Sequence, residues 1–259
     1  GLRVVRWSRE RIRATAFQFA RELEARGIAK GDRVLFWATN SPEWVAAFFG
    51  CLIRGVIVVP LDAQSPASFA AKVAHQTEPK LLICSRNNSC DLDVPLPRIT
   101  LDELGEIVAH HSADKYLVKD IDENDLVEII YTSGTTGDPK GVCITHRNLL
   151  ANIAPLEECV EKYLKWERFV HPIRMLELLP LSHVFGQLTA LFVSGLIRGE
   201  VFFQESLNPS EIIETARHEQ MTAIITVPRL LDSLRDKIER QWAAQGETEK
   251  FQSALAEAD

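Results

Sequence analysis

The sequence predicts an α/β protein with largely parallel sheets covered by helices. Short apolar, β-branched runs alternate with stretches of helical periodicity along nearly the whole chain. No stretch repeats another. The 259 residues are 46% apolar and 25% charged, the balance of a globular chain with a substantial core.

The first helix is marked by Ile12, Ala16, Phe19 and Leu23 at i, i+4, i+7 spacing, and Gly27 supplies a stop. Arg33–Ala38 (RVLFWA) reads as a buried strand between Gly-Asp and Thr-Asn. Ser41-Pro42-Glu43 combines an N-cap, a first-turn proline and a first-turn acid, and the helix it opens should stop at Gly55. Val56–Val59 is a strand ended by Pro60, and helix signals resume after Ser65-Pro66 to about Gln76. Lys80–Cys84 is a strand, and Ser85–Pro97, rich in Asn, Asp, Ser and Pro, is loop. Thr100 and Glu103 have capping-box spacing.

Leu126–Tyr131 is a strand, Val142–Ile144 a short strand, and Thr145 an N-cap for a helix through Leu149 and Leu150. Strands at Met175–Leu179, Val201–Phe203 and Ala223–Thr226 then alternate with helices at Phe185–Ile197 and Ser210–His218. Val227-Pro228-Arg229 opens a last helix to about Gln241, before a polar tail that is helical or frayed.

The formal charge of −7 argues against a nucleic-acid partner, which a basic surface would serve. Five cysteines without a CxxC pair suggest free thiols in a reducing cytosol rather than a disulfide framework or a zinc site. The first residues lack the apolar core of a signal peptide. The apolar run Leu188–Ile197 falls short of the roughly 18–20 residues that span a bilayer. These readings place the protein in the cytoplasm with no transmembrane segment, and leave peripheral membrane contact and oligomeric state open. His110 and His111 lie in a polar stretch and read as solvated.

Between the strands Leu126–Tyr131 and Val142–Ile144 runs Tyr131 to Gly141, YTSGTTGDPKG. Glycines let successive backbone N–H groups converge on one anion. Hydroxyls add neutral donors and Lys140 adds a mobile point charge, so the segment suits a polyphosphate. It is not the GxxxxGK[ST] loop of GTPases. Two residues separate Gly134 from Gly137, Lys140 precedes glycine, and a strand follows instead of a helix.

IIYTSGTTGDPKGV resembles the signature loop of the adenylate-forming superfamily, the AMP-binding enzymes that include acyl-CoA synthetases, luciferases and peptide-synthetase adenylation domains. Gly31-Asp32-Arg33-Val34, the stretch from Leu52-Ile53-Arg54-Gly55 to Val59-Pro60-Leu61-Asp62, Thr145-His146-Arg147-Asn148 and Leu179-Pro180-Leu181-Ser182-His183-Val184-Phe185-Gly186 resemble further family motifs in the same order. Val227-Pro228-Arg229 before a charged helix looks most like the long-chain fatty acyl-CoA synthetase branch.

The resemblance implies activation of a carboxylic acid by ATP to acyl-AMP and pyrophosphate, followed by transfer to a thiol, usually coenzyme A. It assigns the cradle for the phosphates to Thr132, Ser133, Gly134, Thr135, Thr136, Gly137 and Lys140. Thr135, Lys140 and His183 are the catalytic candidates, His183 on the acyl side of the site. Phe185 and Gly186 shape the acyl pocket or simply pack. No metal ligand is assigned. The family's YGxTE-like segment, whose acid holds Mg²⁺, its TGD-like segment and its C-terminal lid lysine are not found. The expectation is an N-terminal portion of a longer enzyme, inactive alone, with Mg²⁺ and coenzyme A served by other parts.

Alternatives are a fatty acyl-AMP or aryl-CoA ligase, or a non-catalytic truncated binding module. The resemblance also implies two packed lobes, one of about residues 31–169 and one of about 1–30 with 170–259.

Overall fold

The computed structural model describes residues 5–86, 92, 94–116, 118, 120–132, 138–164 and 172–258. Helix α1 (Arg9–Ala25) is capped by Ser8, whose hydroxyl accepts from Arg11 N, and it ends as its glycine dictates. Gly27 adopts φ 73°, letting Ile28 N reach Leu23 O and Gly27 N reach Glu24 O. Helix α2 (Pro42–Arg54) repeats this plan, with Ser41 as N-cap, Pro42 in the first turn and Gly55 at φ 73° closing the end.

Strands β1 (Arg33–Trp37), β2 (Ile57–Leu61), β3 (Leu81–Cys84), β4 (Arg98–Thr100), β5 (Leu126–Thr132) and β6 (Lys140–Thr145) form a sheet in the order β4-β3-β1-β2-β5-β6. Every pair is parallel except β5 with β6, which are antiparallel. The sheet is covered on both faces. Val34, Phe36, Val58, Leu81 and Ile83 join α1 and α2 in one core. Leu35, Trp37, Val59 and Leu82 join helix α3 (Ala67–Thr77) in another. That double burial explains why these strands read as continuous apolar runs.

The second sheet, parallel throughout, has the order β8-β7-β9, from β7 (Arg174–Glu177), β8 (Glu200–Phe203) and β9 (Ala223–Ile225). Helix α4 (Leu104–Val108) precedes β5, and α5 (His146–Leu164) follows β6. One continuous helical segment follows β7: α6 (Val184–Gln187), a π-helical stretch (Leu188–Val193) and α7 (Ser194–Leu196). Helices α8 (Pro209–His218), α9 (Pro228–Ala244) and α10 (Thr248–Ala258) complete the chain.

The α/β class and the parallel covered sheets are as the periodicity indicates, and local details differ. Strand β2 does not stop before Pro60 but continues through Leu61, since its bridge to β5 is confined to Val58↔Glu128 and Pro60 pairs along β1. No capping box forms at Thr100: its side chain makes no cap bond, and residues 98–100 form β4 instead. A reciprocal cap does form at α5. Thr145 Oγ1 accepts from Asn148 N at 3.2 Å, and Asn148 Oδ1 accepts from Thr145 N at 2.9 Å. That helix runs past Leu150, through Pro155. His111 is not solvated; its ring lies 2.7 Å from Glu22 on α1. Helix α1 packs along α2, while Arg9 at its start donates to the carbonyls of Ser194 and Gly199 beside the second sheet. Among the described residues no helix is long and apolar enough to cross a membrane.

The α1–α2 contact is close because Gly50 has no side chain. A Cβ there would meet Phe19 Cδ1 at 2.8 Å and Ala16 O at 2.9 Å. Helix propensity alone favours Gly50→Ala by about 1 kcal/mol. Overpacking opposes it by about 1–3 kcal/mol. Urea denaturation should therefore show Gly50→Ala to be destabilising.

Candidate active site at the edge hairpin

Strand β5 pairs in parallel with β2 and antiparallel with β6, so β5 and β6 form a hairpin at the edge of the sheet. The last registered pair is Thr132↔Lys140, preceded by Tyr131↔Gly141. The hairpin thus brings a hydroxyl residue and a cationic residue to the same end, both exposed. Ser133, Gly134, Thr135, Thr136 and Gly137 lie outside the described residues. Gly141 has a packing reason to be glycine: a Cβ would meet Ile129 Cγ2 at 2.7 Å and the Tyr131 ring at 3.0 Å. Gly141 thereby leaves room for the Tyr131 ring beside β6.

His183 lies on a different segment. It is the N-cap residue of α6 and is exposed, with no side-chain capping bond. Its backbone N donates to Pro180 O, and its carbonyl accepts from Gln187 N. Gly186 allows the close turn, since a Cβ there would lie 2.5 Å from Pro180 O. Phe185 is 58% exposed, so packing does not account for it.

The segment bearing His183 is pinned to the large sheet by residues the sequence reading passed over. Asn40, just after β1, donates from Nδ2 to Leu179 O at 2.7 Å and accepts from Leu181 N at 2.8 Å. Gln187 donates to Leu181 O and to Glu128 Oε2, both at 2.9 Å. Glu128 is on β5, four residues before Thr132, and is wholly buried, as is Gln187 to 1%. A second buried acid, Glu177 on β7, accepts from Thr189 Oγ1 at 2.7 Å and from Leu179 N at 3.1 Å. The helical segment after His183 therefore holds one carboxyl of each sheet, through Gln187 and Thr189. An acid inside an apolar run, such as Glu128 in LVEIIY, is the sequence signal that could have exposed this network.

Burial pushes both carboxyls up to about 7, against the hydrogen bonds from Gln187 on Glu128 and from Thr189 and Leu179 on Glu177. Near neutrality each is poised between its neutral and ionised forms, and Glu128 Oε1 and Gln187 Oε1 lack hydrogen-bond partners.

A separate cavity lies elsewhere. A cleft of about 1220 Å³ lies between α1, the start of α2 and the β7–β8 edge, lined by Trp7, Ile12, Phe49 and Phe203 among others. Neither Thr132, Lys140 nor His183 borders it. Arg9, Arg13, Arg174 and Arg198 line it beside these apolar side chains.

Residues 3–256 match the family described as AMP-binding enzyme. The chain belongs to that family. It is 26% identical over 242 residues to fatty acyl-CoA synthetase A of Dictyostelium discoideum, covering 82% of this chain and 34% of that protein. It is 26% identical over 227 residues to crotonobetaine/carnitine–CoA ligase of Salmonella paratyphi C, covering 80% of this chain and 42% of the other. The crystal structure of ATP-bound MatB from Rhodopseudomonas palustris superposes with a TM-score of 0.69 at 25% identity, over 87% of this chain and 45% of that one. The chain thus spans between about a third and a half of the length of these relatives.

Replacing Glu128 tests the buried network. Glu128→Ala strands the Gln187 amide and should cost about 1–3 kcal/mol, whereas Glu128→Gln should be much milder near pH 7. A carboxyl with a raised folded-state pKa contributes stability that is whole below its ordinary 4.5 and is lost as pH rises to about 7. Chemical denaturation at pH 5 and pH 8 should show a smaller loss in Glu128→Gln than in the unmodified chain.

Proposed function

We propose that this chain is the phosphate-binding portion of an ATP-dependent acid–thiol ligase. The observation that carries the reading is the β5–β6 hairpin, whose mouth joins Thr132 to Lys140 around the Ser133–Gly137 sequence. In the reaction a substrate carboxylate attacks the α-phosphorus of ATP, the bond to the β-phosphate oxygen breaks, and acyl-AMP and pyrophosphate result. A thiol, usually that of coenzyme A, then displaces AMP.

Pyrophosphate concentrates negative charge as it leaves, so fixed donors and a cation at that point lower the barrier. Thr132, Ser133, Gly134, Thr135, Thr136, Gly137 and Lys140 fill that role, with Thr135 and Lys140 on the departing phosphates. His183 orients the carboxylate on the acyl side. Mg²⁺ and coenzyme A are assigned to parts of the enzyme beyond this chain. Two lobes, residues about 31–169 and about 1–30 with 170–259, divide these roles.

For the substrate we favour a long-chain fatty acid. The resemblance at Val227-Pro228-Arg229 and the likeness to fatty acyl-CoA synthetase A support it. An aryl-CoA or fatty acyl-AMP ligase is the second reading, favoured by the breadth of acids that the relatives' names cover, crotonobetaine and carnitine included.

In the longer protein, pyrophosphate release should require both ATP and a carboxylic acid. Lys140→Ala should lower kcat by roughly 10²–10³-fold. A panel of acids of increasing chain length should place the highest kcat/KM on a long-chain fatty acid. The 259-residue chain alone should show no acid-dependent release above a Lys140→Ala/Thr135→Ala control, and clear turnover would contradict the assignment of this chain to a portion of the site.

A further inference from the structure

Three ligand-bearing side chains converge far from the hairpin, where α1 meets the turn after α4. His111 Nε2 lies 2.7 Å from Glu22 Oε2, and His110 Nε2 lies 3.7 Å from the same oxygen. The two imidazoles are stacked at a tilt, with centroids 3.9 Å apart. All three ligand atoms fall within 4.8 Å of one another. Zinc takes nitrogen and oxygen ligands at about 2.0–2.2 Å, so tetrahedral ligand atoms sit roughly 3.3 Å apart. The spacing seen here brackets that value, and small side-chain rotations reach it.

We propose that Glu22, His110 and His111 form a binding site for a divalent transition-metal ion of the zinc class, with its fourth position open to solvent. The surroundings are those of a prepared ligand set. Glu22 is buried, and its second oxygen, Oε1, accepts from Arg26 Nε at 2.7 Å, which fixes the carboxylate while leaving Oε2 toward the histidines.

The backbone of the histidine turn is held as well. Gln18 Nε2 donates to His111 O at 2.9 Å, and Arg21 donates to the carbonyls of Ser112 and Asp114 at 2.9 and 2.8 Å. Such outer contacts orient first ligands and sustain affinity. His110 has an exposed side chain and gives the ion its entry path. The guanidinium of Arg26 opposes a cation, and its bond to Oε1 leaves Oε2 as the ligand atom. Bound metal would clamp α1 to the end of α4, a structural role independent of the hairpin chemistry.

The test is calorimetric titration of Zn²⁺ into the metal-stripped 259-residue chain, with the exposed Cys143 and Cys159 replaced by serine to remove accessible thiol ligands. The expected result is one site per chain with a rise in melting temperature. His110→Ala, which alters an exposed side chain and leaves the fold intact, should weaken binding by roughly tenfold or more, and His110→Ala/His111→Ala should abolish it. Absence of one-to-one binding would overturn the proposal, and so would binding that both histidine variants retain.

Discussion

The hydrogen bond between Glu128 and Gln187 is the contact through which the two halves of the candidate site acquire a fixed relation. Glu128 belongs to the strand that ends at Thr132, and Gln187 to the helix that begins after His183. Both are excluded from water, so the bond cannot be exchanged for solvent without opening the core. Asn40 adds two bonds from the end of β1 to Leu179 and Leu181. These buried polar bonds join β5, which ends at Thr132, to the segment that carries His183.

The helix that follows His183 reaches both sheets. Thr189 must face Glu177 on the second sheet, while Gln187, two residues earlier, faces Glu128 on the first. Residues two apart on an ordinary α-helix point about 200° apart. The helix therefore lies between two acids and serves both, within the segment where it widens to π geometry. Such widenings recur at functional sites.

Much of this architecture is legible in the sequence because its local signals agree with its global packing. Ser41-Pro42 and Gly55 bracket α2, Gly27 ends α1, and the β-branched runs become β1, β2 and β3. The hairpin after Tyr131 likewise follows from two apolar runs around a glycine-rich segment. Less legible are features set by tertiary contact. Pro60 is carried inside β2 because its neighbours on β1 pair with it. Thr100 joins β4 beside β3, although its spacing to Glu103 suggests a cap. Asn40, Glu128 and Gln187 have partners 59 or more residues away, which no local pattern discloses. His111 is likewise engaged by a helix 89 residues earlier.

The central claim is that the hairpin mouth, and not the cleft beside α1, receives the nucleotide phosphates. It is tested most directly by titrating ATP into the isotope-labelled chain and following backbone amide resonances. The account predicts shifts concentrated at Thr132 through Gly141 that Lys140→Ala diminishes. Shifts centred on the cleft around Trp7, Phe49 and Phe203, with the hairpin mouth unmoved, would contradict it.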